Sequence, residues 1–242
     1  MKKSGVFILV AVILGISLVW VANIVSGTAI SIKNKGYVKV KGFAKKDIRS
    51  DLAIFSVKII EEEVDLKACY AKLKEDKERA NKFLEKYGTK EDIIRFYQAK
   101  IREKYKINDR GHETDEFVNF KLTQDFSIQS DDVDKIEKLS EEISGLLEEG
   151  VKLFVSAPDY IYKDLDALKV QMIGEATANA KDRAQIIAKK GRFRLGPIAS
   201  VRVGIFQITP AYSTAVSNYG INDTTSIDKE IKSVVEIEYF VK

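Results

Sequence analysis

Residues 51–88 read DLAIFSVKIIEEEVDLKACYAKLKEDKERANKFLEKYG, and within them one apolar pattern gives way to another. From Asp51 to Glu63 the apolar residues alternate. Ala53, Phe55, Val57 and Ile59 share one face, and Ile54 and Ile60 lie on the other, the period of a strand covered mainly on one side. From Asp65 to Tyr87 the period lengthens. Leu66, Leu73, Ala80 and Tyr87 recur at seven, with Cys69, Tyr70, Phe83 and Leu84 between them, which predicts an amphipathic helix with one apolar stripe. Gly88 stands where a helix C-cap is expected. A strand followed by a helix that must bury its stripe argues for helices packed on a sheet.

The pattern continues on both sides. Upstream, Tyr37–Lys41 alternates apolar with basic residues and predicts a strand, with Gly42–Ser50 as a polar turn. Downstream, Asp92–Tyr105 and Glu116–Gln129 predict two strands of a hairpin around the turn-forming Asn108-Asp109-Arg110-Gly111. Ser130 or Asp131 is placed to cap a helix whose stripe is Val133, Ile136, Leu139, Ile143 and Leu147, ending at Gly150. Val151–Tyr162 predicts a strand in which Pro158 implies a bulge or an edge. Asp164–Lys190 predicts the longest helix of the domain, with a stripe of Leu165, Leu168, Met172, Ala176, Ala180, Ala184 and Ile187. Leu195–Gln207 and Ser226–Val241 predict the closing strands. The expected fold is therefore α+β, a mixed or antiparallel sheet packed by about three helices.

A different kind of segment precedes this domain. Val6–Val25 is a run of twenty residues without a charge. As a helix rising ~1.5 Å per residue it spans the ~30 Å hydrocarbon core. Residues 1–29 are expected to form a membrane anchor, with the lipid bilayer as partner, and residues 30–242 the domain. The small residues Ser26-Gly27-Thr28-Ala29 leave a cleaved signal sequence, and a periplasmic chain, as the alternative. Lysines flank the run on both sides, Lys2 and Lys3 before it and Lys33, Lys35, Lys39 and Lys41 after it, so charge alone does not orient the chain. Lys33 and Lys35 are candidate contacts to anionic headgroups. A charged strand face is the other reading of the lysines from Lys33 to Arg49.

Composition excludes some functions. The formal charge is +4 with 31% charged residues of both signs, a solvated surface and not the footprint of a nucleic-acid binder. The one cysteine, Cys69, rules out an intrachain disulfide, and its place on the helix stripe predicts a buried packing thiol. The one histidine, His112, falls on the expected hairpin tip, where a solvated ring is the expectation. Glu61-Glu62-Glu63 has the residue types of paired carboxylates, but at a strand end solvation is expected. No phosphate-cradling glycine loop, metal-ligand spacing or nucleophile triad is present, so no catalytic residue, cofactor or metal is expected. Thr209–Thr225, long and rich in Ser, Thr, Asn and Gly, is a candidate partner or oligomer contact through Tyr212, Tyr219 and Asn222.

Three stretches together resemble the SIMPL-domain family of exported and membrane-anchored bacterial proteins. They are GFAKKDIRSDLAIFSVKI (42–59), AKDRAQIIAKKGRFRLGPIASV (180–201) and SVVEIEYFV (233–241). The resemblance implies an extracytoplasmic α+β domain held at the inner membrane by a single pass. It also implies a structural or interaction role, self-association into a homo-oligomer, and a link to envelope stress tolerance. A ligand- or peptide-binding module with an envelope partner is the alternative, and an enzyme with an unrecognised site a third.

Overall fold

The computed structural model describes residues 15–17, 19–22, 36–88 and 94–242. Lys33 and Lys35 lie outside the described residues, as does most of Val6–Val25. The described part of that run, residues 15–17 and 19–22, is helical, with Ile16, Val19, Trp20 and Val21 exposed. No helix among the described residues is long and apolar enough to cross a membrane.

Among the described residues from 36 onward the chain is mixed α+β, with two sheets and four helices where one sheet and about three helices were expected. The strands are β1 (Tyr37–Arg49), β2 (Leu52–Glu63), β3 (Ile94–Phe96), β4 (Lys100–Ile107), β5 (Glu113–Ser130), β6 (Leu153–Val155), β7 (Asp159–Ile161), β8 (Leu195–Val203), β9 (Gln207–Pro210), β10 (Ile221–Asn222) and β11 (Asp228–Val241). The helices are α1 (Leu66–Glu85), α2 (Val133–Glu142), α3 (Gly145–Glu148) and α4 (Leu165–Gly191). The described residues divide into two compact units, those up to 44 with 172–204 and 233–242 in one, and those within 45–171 with 205–232 in the other.

In the first unit β8 runs antiparallel to the second half of β11, with Val203 opposite Val235 and Leu195 opposite Val241. Here α4 buries a row at strict fourth positions, Met172, Ala176, Ala180, Ala184 and Ala188, while Ile187 of the expected stripe stays exposed. Gly42 explains the alanines. A Cβ on it would lie 1.9 Å from the carbonyl oxygen of Ala176 and 2.5 Å from the nitrogen of Ala180, so strand and helix backbones approach closely only because neither carries bulk there. The expected turn after Lys41 is corrected, since β1 continues to Arg49. Val40, Gly42, Ala44 and Ile48 point inward, and the charges that suggested a turn occupy exposed positions.

In the second unit β5 and β2 form the centre of the six-stranded sheet, paired from Ala53–Ser130 to Glu63–Phe120. Helices α1 and α2 pack on one face of it, over a core of Phe55, Ile59, Leu122, Phe126, Ile128 and Ile136, among others. Asp65 caps α1 by accepting from the Ala68 N–H, and Asp132, one residue beyond the expected caps, does the same for α2 with Lys135. The second helix is not continuous to Gly150. After Ile143 the bonds tighten to Leu146 N–H to Ile143 and Leu147 N–H to Ser144. The phase advances by one residue, which buries Leu146 and leaves Leu147 exposed. Val151–Tyr162 is two short strands, β6 and β7, both on β2 and separated at the Pro158 segment.

Candidate functional site

The pairing pattern of β5 leaves one part of the second unit outside its sheet. β5 has eighteen residues, but β2 accompanies it only as far as Phe120. From Glu113 to Asn119 its partner among the described residues is β4 alone. The two strands form a ribbon closed by the Asn108–Gly111 turn, where the Asn108 side chain accepts from the N–H groups of Arg110 and His112. Gly111 takes φ +79°, which glycine adopts without strain.

The ribbon is held from its base. The Tyr105 and Phe117 rings meet edge-on at 6.3 Å, and Phe117 lies 5.0 Å from Phe120, which packs against the core. Thr114 Oγ1 donates to the Lys106 carbonyl. Ion pairs link its strands, among them Arg102 to Glu113 at 3.4 Å and Lys106 to Glu116 at 3.1 Å. At its root Glu62 receives Lys104 at 2.9 Å and Lys121 at 3.5 Å. The hydrogen bond from Lys104 is the chief reason the Glu62 carboxyl lies below its usual range. Ile101, Ile107, Phe117 and Val118 are nonetheless exposed. A ribbon with open edges and exposed apolar side chains is suited to strand pairing with another chain.

The loop singled out in the sequence is folded back on its own unit. Gln207 accepts from the Ser217 N–H and donates to the Ser217 carbonyl, Lys232 donates to the Ser213 carbonyl, and β10 pairs parallel with β9. Tyr219 and Asn222 line one shallow hollow of about 420 Å³ with Ile205, Phe206, Ile221 and Lys169. Tyr212 is not among its lining residues. It holds φ +64°, and its ring and that of Tyr219 are each more than 90% exposed. Under the loop lies Lys229, which sequence reasoning missed. It is buried, and its ammonium donates to the carbonyls of Tyr160 and Asp223. Burial pushes its pKa down, against the opposing charges of Asp223 and Asp159.

Glu61 and Asp76 are the second missed feature. The expectation that Glu61–Glu63 is solvated fails at Glu61, which is 3% exposed on β2. It faces Asp76, 4% exposed on the buried side of α1. Arg79 stands 3.5 Å from Asp76, and Lys152 stands 3.3 Å from Glu61. Burial first, then the hydrogen-bonding contact and charge of Glu61, push Asp76 up to about 6. The signal in the sequence was the position of Asp76, seven residues after Cys69 on the stripe. Cys69 itself is buried, and burial pushes its thiol pKa up, as befits a packing residue. His112 is exposed on the ribbon turn. Lys39 and Lys41 pair with Glu236 at 2.7 and 3.8 Å, which favours the charged-strand-face reading for these lysines. Among the described residues no three or more metal-ligating side chains converge.

No curated protein matches the chain. A family model, SIMPL, described as a protein of unknown function (DUF541), matches residues 38–239, from the start of β1 almost to the end of β11. With more than four fifths of its length inside that match, the chain belongs to the SIMPL family.

Proposed function

We propose that this chain is a membrane-tethered scaffold. The Val6–Val25 run holds it at the inner membrane, the domain lies on the extracytoplasmic side, and copies associate with one another in a structural role within the envelope. The observation that carries the reading is the β4–β5 ribbon, a strand pair that leaves its sheet with both edges open among the described residues. A charge-free run of twenty residues supports the tether. In this reading the chain catalyses no reaction of its own.

One observation favours a second reading, capture of an extended envelope peptide. β8 pairs only with β11 among the described residues, and Ile198, Val201 and Val203 are exposed along it. Cell fractionation with in-cell cross-linking tests the first reading. The chain should stay with membranes through an alkaline wash, be cut by protease added from the extracytoplasmic side, and cross-link into multiples of 27.3 kDa. A chain released by the wash, or one that cross-links only to other proteins, refutes it.

A further inference from the structure

The two strands of the ribbon carry opposite charge. Over Lys100–Ile107, β4 has Lys100, Arg102, Lys104 and Lys106 against the single acid Glu103, a net of +3. Over Glu113–Asn119, the part of β5 that has outrun β2, the charged residues are Glu113, Asp115 and Glu116, a net of −3. Each strand has an open edge among the described residues, β4 on its outer side and β5 on the side where β2 has ended. We propose that the outer edge of β4 in one copy pairs with the tip of β5 in the next, joining copies head to tail. This deepens the self-association reading and rests on it.

Charge selects the pairing. Two β4 edges brought together place basic side chains opposite one another, and two β5 tips do the same with acids. Both are unfavourable across a strand pair, whereas β4 against β5 is complementary. Lysines on an edge strand commonly guard against pairing, but that protection acts against a neutral or basic partner and not against an acidic strand. The seven tip residues extend roughly 23 Å at ~3.3 Å each, enough for a short ladder. Ile101, Ile107, Phe117 and Val118 supply apolar surface that such a contact would cover. Because the two edges differ, the contact is heterologous, and it closes into rings or runs on as filaments.

Two charge-swapped full-length chains test this in detergent by light scattering. One carries Arg102→Glu and Lys106→Glu, the other Glu113→Lys and Glu116→Lys. Each alone has two like-charged edges and should lose assembly, giving the single-chain mass. Mixed in equal amounts they should recover the wild-type mass, with both variants in every particle. Within each chain the strand-to-strand repulsion persists in the mixture, so only contact between chains restores assembly. Far-UV circular dichroism of each variant should match wild type, because the altered pairs lie at the surface. Either variant assembling alone, or a mixture that stays monomeric, overturns the ribbon contact while leaving self-association standing. A wild-type chain that is itself monomeric overturns self-association.

Discussion

Replacing Asp76 by asparagine should stabilise the protein at neutral pH and have little effect in acid. Two carboxyl groups face each other at the interface of α1 and β2, both less than 5% exposed. With Asp76 raised from 3.8 to about 6, the folded protein holds a proton that the unfolded chain releases. The shift of about two pK units corresponds to roughly 3 kcal/mol. The sign follows from linkage: this contribution is complete below pH 3.8, is lost as pH rises from there to about 6, and stays lost above 6. Arg79 and Lys152 flank the pair and limit the loss. Asparagine keeps a donor toward Glu61 without the second charge. Urea denaturation of full-length wild type and Asp76→Asn in detergent, followed at 222 nm from pH 4 to 8, measures the difference. The variant should be more stable by about 1–3 kcal/mol at pH 7.5, with the gap closing toward zero at pH 4. A gap independent of pH, or a variant less stable at pH 7.5 than at pH 4 relative to wild type, refutes the reasoning.

Other perturbations have equally definite outcomes. Gly42→Ala forces a Cβ into the backbone of α4, and calorimetry should show a loss of about 3 kcal/mol or more, since helix backbone cannot yield as a side chain does. Leu122→Ala, at a fully buried position between the sheet and its helices, should cost about 2–5 kcal/mol in the same assay. Lys229→Ala strips the donor from the Tyr160 and Asp223 carbonyls, and a loss of about 2–4 kcal/mol is expected. Hydrogen exchange in that variant should rise first in residues 209–225, which the lysine anchors.

The strands and helices were legible where periodicity is unambiguous. Alternation from Ala53 to Ile59 located β2, and the Asn108–Gly111 turn located the hairpin. The family, too, was legible, from Gly42–Ile59, Ala180–Val201 and Ser233–Val241. What escaped were features set by partners distant in sequence. The length of β1 was hidden because Lys45, Lys46 and Asp47 resemble a turn unless one knows that Ala44 and Ile48 are buried. The need for glycine at 42 depends on Ala176 and Ala180, more than 130 residues away. Asp76 and Lys229 violate the rule that charges face water, so composition assigns them to the surface, and only their partners, Arg79 for the one and the Tyr160 and Asp223 carbonyls for the other, show why burial is tolerated. The open edges of the ribbon depend on where β2 stops relative to β5, a matter of register. The two strands of the ribbon were visible, but not that one outruns its sheet.

Self-association is the claim on which the functional account stands, and the mass of the full-length chain in detergent tests it most directly. Light scattering corrected for bound detergent, over a concentration series, should give a mass several-fold above 27.3 kDa at high concentration. That mass should fall as salt screens the opposed charges of β4 and β5. A mass of one chain at every concentration and salt would contradict it.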